Sequence, residues 1–302
     1  MMKKINRSLI YFVLGAIFTL PLFYTNSDKS KFLPPTNESY NGGLNYCTDL
    51  QASIKYIDSL SQSENSAKFD TLLYVEAASN FIKERFYHGT ANYMFSENWI
   101  ANLLGKYVWS HFYAIVIPDD ILKRPKGLCS QQTTVFMELL KAKNIKTRKV
   151  GIASNNGNGH FFCEVFYNNS WHTYDVNLEP NWNKISHPQE SMEYYLHNKD
   201  SLYLVYENKI PTPELKDMLE NVEYGEPNNF PAKKMRAFHY FTKALIFALP
   251  AFFFYVALLP LREEFEKSLI KPQLLHKDQN RSHHLFLHSQ MSQRKYNLSY
   301  LL

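Results

Sequence analysis

The chain has 302 residues, a formal net charge of +5 at neutral pH, 45% hydrophobic residues and 16% aromatic residues. That apolar share supports a folded core and excludes wholesale disorder, while the mild charge offers no block basic enough for nucleic acid, so no nucleic-acid partner is expected. Ten Gly exclude a glycine-rich repeat, and three Cys exclude a disulfide scaffold and leave one thiol unpaired within a monomer.

Residues 8–27 carry no charge, and twenty helical residues rise about 30 Å, the thickness of a bilayer core. Lys3, Lys4 and Arg7 precede them, which holds the N-terminus in the cytoplasm. No small-x-small site follows Leu20 and no Cys stands nearby for lipidation, so 1–27 reads as an uncleaved transmembrane anchor rather than a cleaved signal. Pro34-Pro35, Asn37 and Gly42-Gly43 make 28–45 a linker. Residues 46–232 then form one soluble domain.

Within that domain, apolar residues at helical spacing predict helices over 49–61, 70–86 and 129–143. Strands are predicted over 147–153, 160–167 and 171–176. Helices followed by antiparallel strands make an α+β fold. A second uncharged stretch, 244–261, is centred on Phe252-Phe253-Phe254-Tyr255 and includes Pro250, which a membrane helix tolerates better than a soluble one, so 238–262 reads as a second transmembrane helix. Both termini then lie inside and the domain outside. Residues 263–302 lose the pattern and read as a poorly ordered cytoplasmic tail, with His283, His284 and His288 solvated rather than metal-binding.

Asn168-Asn169 is a two-residue turn of the kind that prefers asparagine. With Tyr167 paired to Ser170, Asp175 falls opposite Phe162 and diagonal to His160 on one face, and a one-residue slip would separate them. That face also carries Phe162, Phe166 and Trp171, so it is expected to pack against the helix that begins at Cys129. A thiol at a helix N-terminus is biased toward thiolate. An imidazole beside it holds the proton, and a carboxylate fixes the imidazole. Each residue alone reads more simply as core, surface or turn; together, in this order, they read as Cys129, His160 and Asp175 of a catalytic triad.

The run Gly127-Leu128-Cys129-Ser130-Gln131-Gln132, then 139–148, Val150-Gly151-Ile152, Gly159-His160 and Trp171-His172-Thr173-Tyr174-Asp175 resembles the transglutaminase-like superfamily, whose core is similar to papain's. Residues 81–87 are similar to the helix that commonly precedes that core, and the resemblance covers about 70–180. It implies Cys129 as nucleophile, His160 as base and Asp175 as orienting carboxylate, on a papain/transglutaminase-like core flanked by two transmembrane helices. The chain departs from the pattern at Lys123, which stands six residues before Cys129 where papain-like enzymes carry an amide donor to the oxyanion. Trp109 is the nearest aromatic N–H candidate for that role. No calcium loop is present, and no cofactor or metal is expected.

Glu164 shares the face of His160 and is either a group supporting the site or a hydrogen-bonded strand residue. Cys163 faces the other way and is either core packing or a disulfide partner of Cys47, and His172 is structural. Trp182, Tyr194 and Tyr195 read as aromatic core rather than substrate cleft.

The expected function is a membrane-anchored cysteine protease, amidase or acyltransferase that acts through an acyl-thioester. Water as acceptor makes it a hydrolase, an amine a transferase. Its expected partners are a peptide or protein substrate at the cell envelope, the lipid bilayer and other members of a membrane complex. A bacterial-type composition places it in the inner membrane with a periplasmic or extracellular domain. The alternative is a catalytically idle domain of the same fold serving as a binding or scaffold module in a membrane assembly.

Overall fold

The computed structural model describes residues 2–24, 38–61 and 69–298. The chain divides into two units, Thr25–Lys243 and Met1–Tyr24 with Ala244–Leu302. Of the expected linker 28–45, residues 28–37 lie outside the described residues, and its end is a 3₁₀ turn, Gly42–Tyr46, capped by the Asn41 side chain.

Helix α1 is Met2–Thr19, α2 Leu50–Ser61 and α3 Thr71–Arg85. Strand β1 (Tyr87–His88) leads through α4 (Trp99–Tyr107) and α5 (Pro118–Leu122) to β2 (Lys126–Gly127), its parallel partner. Helix α6 (Cys129–Lys141) is followed by β3 (Lys146–Ala153), β4 (Gly159–Tyr167) and β5 (Ser170–Tyr174). Short helices α7 (Met192–His197), α8 (Lys199–Val205) and α9 (Thr212–Met218) then lead to β6 (Val222–Tyr224) and α10 (Lys233–Leu298). The fold is α+β, with an antiparallel sheet ordered β5-β4-β3-β6.

Local chemistry sets the boundaries. Asp70 accepts the Leu73 N–H at 3.1 Å and starts α3, and Asn98 does the same for Ala101 at 3.2 Å to start α4. Asn168 and Asn169 both take left-handed backbone, φ 48° and 61°, the conformation a tight I′ hairpin turn demands. Tyr167 pairs with Ser170 and Cys163 with Tyr174, the register that the turn predicts.

The faces of the sheet differ from the sequence expectation. Cys163, Val165, Tyr174 and Val176 join the core cluster built with α2, α3 and α6. Phe162, with Val150 and Ile152, joins a second cluster under α7, α8 and α9. The body of α6 therefore packs on the face away from His160. The sheet is covered on both sides because 178–219 supply a layer of short helices that carries little periodicity in sequence. Tyr195 is buried in that layer and stacks on Trp182 at 5.6 Å, as aromatic core. Cys47 and Cys163 are both free, buried thiols in the first cluster, so packing is realised there and the disulfide is not.

Arg85 is fully buried and serves as a backbone clamp. Its guanidinium donates to the carbonyls of Cys47 (3.3 Å), Arg124 (2.9 Å) and Leu122. It thereby joins the end of α3 to the segment before α2 and to the chain leading into β2.

The first turns of α10 are bonded to the domain. Lys243 pairs with Asp120 at 2.7 Å, the Asn98 amide donates to Thr242 at 2.8 Å, and His239 donates to the Phe112 carbonyl at 2.9 Å. In the other unit α1 meets α10 closely. Ser8 donates to the Ala257 carbonyl at 2.5 Å, and Phe18 stacks on Phe253 at 5.3 Å. A Cβ added at Gly15 would come within 2.9 Å of the Phe254 ring, the close small-residue packing familiar in membrane helix pairs. Both helices are long and apolar enough to cross a membrane, at Asn6–Phe23 and within Lys233–Lys267. Where 263–302 read as a poorly ordered tail, α10 continues as helix to Leu298; residues 299–302 lie outside the described residues.

Candidate active site

Strand β2 delivers the chain to Cys129, the first residue of α6. The turn into the helix is held by Gln131, whose amide carbonyl accepts from the N–H groups of Ala91 (2.9 Å) and Leu128 (3.1 Å). Its NH₂ donates to the carbonyls of Ala91 (2.7 Å) and Ile115 (2.8 Å). Gln132 donates to the Gly127 carbonyl at 2.8 Å. Both glutamines are thus structural braces.

The end of α6 reaches the sheet at the start of β4. Thr133 donates to the Phe161 carbonyl at 3.2 Å. Cys129 lies close enough to His160 and the Phe161 N–H for both to favour its thiolate. Three sequence-predicted residues therefore meet, although α6 packs on the opposite face, because they meet at the sheet's end.

His160 Nε2 is 2.6 Å from Asp175 Oδ2, which leaves Nδ1 for Cys129. The Tyr206 hydroxyl donates to the same Asp175 oxygen at 2.8 Å. The backbone N–H groups of Asn177 and Leu178 donate to Oδ1, both at 3.1 Å. His160 and Asp175 sit in a low-dielectric setting, at 7% and 3% exposure, while Cys129 is half-buried.

Burial opposes charge on each of them, and their mutual contacts reverse that. Burial pushes the Cys129 thiol up, but the hydrogen bond and charge of His160, with the Phe161 N–H, bring it below the ordinary thiol value. Burial pushes His160 down, but Asp175 and Cys129 lift it to about 10. Burial raises Asp175, and His160, Leu178 and Tyr206 hold it below the usual carboxylate range. The mutual contacts thus favour thiolate, imidazolium and carboxylate together over the neutral thiol and imidazole. Cys163, by contrast, is pushed well above an ordinary thiol by burial.

The remaining candidates go elsewhere. Glu164 is fully buried, pairs with Arg148 at 2.5 Å and accepts the Met192 N–H at 2.8 Å. It ties β3, β4 and α7 together as a hydrogen-bonded strand residue. Lys123 pairs with Asp120 at 2.9 Å. His172 lies on the α6 side of the sheet but at the far end of the hairpin, bonded to Ser170 and the Gln189 carbonyl. Trp109 is exposed and stacks on His111 at 4.4 Å. It lines a cavity of about 440 Å³ together with Leu128, Ser130 and Phe161. That cavity flanks the Cys129 side, and a second, of about 270 Å³, is lined by His160, Leu178 and Glu214.

Tyr206 and Gln131 were not singled out in the sequence. Tyr206 is the residue that follows the seven-residue helix α8, 31 residues from Asp175, and nothing local marks it. Replacing it with Phe removes a donor that competes with His160 for the same carboxylate oxygen, so Asp175 favours its imidazolium partner more and the thiolate gains support. The pH profile of Cys129 alkylation in Tyr206→Phe is expected to move down by about half a unit to one unit. An unmoved profile would show that the hydroxyl does not tune the site.

No family model matches the chain, and no curated protein matches it. A solved structure described as "Crystal structure of a TGase" is similar at 17% identity over 51% of this chain and 36% of that chain, with a TM-score of 0.27. The chain thus spans about a third of that structure's length.

Proposed function

We propose that the chain is a two-pass membrane cysteine enzyme of transglutaminase-like type that forms an acyl-thioester at Cys129. The observation that carries this reading is the series Cys129–His160–Asp175, with His160 and Asp175 buried and bonded at 2.6 Å and Cys129 beside them at the start of α6, in which mutual contact favours the charged form of each member against burial. The Cys129 thiolate attacks an amide carbonyl, the C–N bond breaks, and the His160 imidazolium gives its proton to the departing amine. Water or a second amine then attacks the thioester, passing a proton back to His160 and restoring the thiolate. Asp175 holds the imidazole in the tautomer and orientation both steps need. The backbone N–H of Cys129 lies in the first turn of α6, where helical geometry provides no internal acceptor, and it would face the developing oxyanion.

The substrate is a peptide or protein at the cell envelope. Lys3, Lys4 and Arg7 keep both termini in the cytoplasm and the domain in the periplasm or outside. A catalytically idle scaffold is the second reading. It is favoured by Lys123, whose ammonium is engaged with Asp120 where papain-like enzymes have an oxyanion donor.

Incubating the purified full chain with peptide amides and examining Cys129 by mass spectrometry separates the two. An enzyme shows an acyl adduct at Cys129 and turnover that falls by about 10³-fold or more in Cys129→Ala. Identical behaviour of Cys129→Ala and the native chain would leave the scaffold.

A further inference from the structure

The end of α4 carries three consecutive apolar or aromatic side chains that are largely exposed among the described residues: Tyr107 is 72% exposed, Val108 68% and Trp109 52%. Scattered exposed apolar residues are ordinary, but three together on one tip are not. The tip is stiff. The N–H groups of Val108 and Trp109 both bond the Leu104 carbonyl, at 2.9 and 3.0 Å. Behind it α4 lies so close to Tyr113 that a Cβ on Gly105 would fall 2.1 Å from that ring. Order is therefore spent on holding these side chains outward.

The tip is tied to the root of α10. Trp109 meets Phe112 edge-on at 5.4 Å, Phe112 packs on Phe238 at 4.9 Å, and the Phe112 carbonyl accepts from His239. Phe238 stands six residues before Ala244, where the uncharged stretch opens. Lys106 lies with its ammonium 5.4 Å from the Tyr107 ring centroid. Tyr and Trp with an adjacent Lys are the residues favoured at the membrane–water boundary, where rings sit at headgroup level and ammonium groups reach lipid phosphates.

We propose that Tyr107, Val108 and Trp109 form an interfacial anchor that inserts into the headgroup region of the bilayer crossed by α10. This rests on the reading of α10 as a membrane span. Because Trp109 also lines the 440 Å³ cavity beside Cys129, the anchor places one wall of that cavity at the lipid surface. The substrate then reaches it from the membrane plane.

The test uses the full chain reconstituted in phosphatidylcholine–phosphatidylglycerol vesicles, with and without acyl chains brominated near the headgroup. The chain has four Trp, so a difference between variants isolates one. Brominated lipid quenches part of the native emission, and Trp109→Phe removes at least half of that quenched part, whereas Trp182→Phe retains it. Equal quenching in the native chain and Trp109→Phe overturns the anchor. Alkaline carbonate extraction distinguishes the two readings. A chain that stays in the membrane with Trp109 unquenched loses the anchor alone, and a chain stripped from the vesicles loses both. Thermal unfolding of each variant confirms that the comparison is between folded proteins.

Discussion

At pH 6, iodoacetamide is expected to alkylate Cys129 on the order of ten times faster than an ordinary thiol, and His160→Ala to abolish that advantage. A free thiol with a pKa of about 8.5 is ionised to roughly 0.3% at this pH. A thiolate held by His160 and the Phe161 N–H is ionised far more fully. The gain in rate is smaller than the gain in thiolate, because a stabilised thiolate is a weaker nucleophile with a Brønsted slope of about 0.4–0.5. The sign follows from the pair. Lowering the pH leaves the rate high below the ordinary thiol range until the thiolate is protonated. Raising it takes the proton from His160 near 10, and the ion pair dissolves. In His160→Ala the profile returns to that of a buried thiol, at or above the ordinary range. Cys47 and Cys163 are fully buried, and burial pushes both thiols up, so they contribute little background. A Cys129 that titrates as an ordinary thiol and ignores His160 would remove the basis of the enzyme reading.

The largest effect on stability is expected at Arg85. Arg85→Leu keeps the volume of the stem but deprives three carbonyls, those of Cys47, Leu122 and Arg124, of their donor. A buried carbonyl left unsatisfied costs about 1–3 kcal/mol, so the sum is on the order of 3–5 kcal/mol if one carbonyl finds water. In a domain of this size that lowers the unfolding temperature by about 6–20 °C. Arg85→Lys recovers only part of the loss, because an ammonium lacks the planar fork that reaches three acceptors at once. A shift smaller than about 2 °C for Arg85→Leu would show that the loops Arg85 joins are stable without it.

What the sequence made legible is local or set by parity. Helices α2, α3 and α6 declare themselves by apolar spacing, and the Asn168-Asn169 turn fixes the register that brings His160 to Asp175. What it concealed depends on distant parts of the chain. Helices α7 to α9 have six or seven residues each, too short for a helical period to stand out. Strand β6 has three residues and gains its partner only when it returns to β3. Without that layer in view, the face bearing His160 reads as the one α6 covers. Tyr206 and the bonds of Gln131 to Ala91 and Ile115 were hidden for the same reason: each joins segments far apart in sequence, and no neighbour in the chain signals it.

The bonding of Asp175 has a consequence for substitution. Both oxygens are already engaged, Oδ1 by two backbone N–H groups and Oδ2 by His160 and Tyr206. All four partners point hydrogens inward, so the socket accepts only a group that offers lone pairs everywhere. An asparagine whose oxygen kept the two backbone N–H groups would turn its NH₂ toward His160 and Tyr206, where the hydroxyl can rotate to accept but the Nε2–H cannot. The Cys-His-Asn variant of this chemistry is therefore not one mutation away. It requires the turn at Asn177-Leu178 to change in the same step, which makes the carboxylate a commitment of the whole neighbourhood rather than of a single codon.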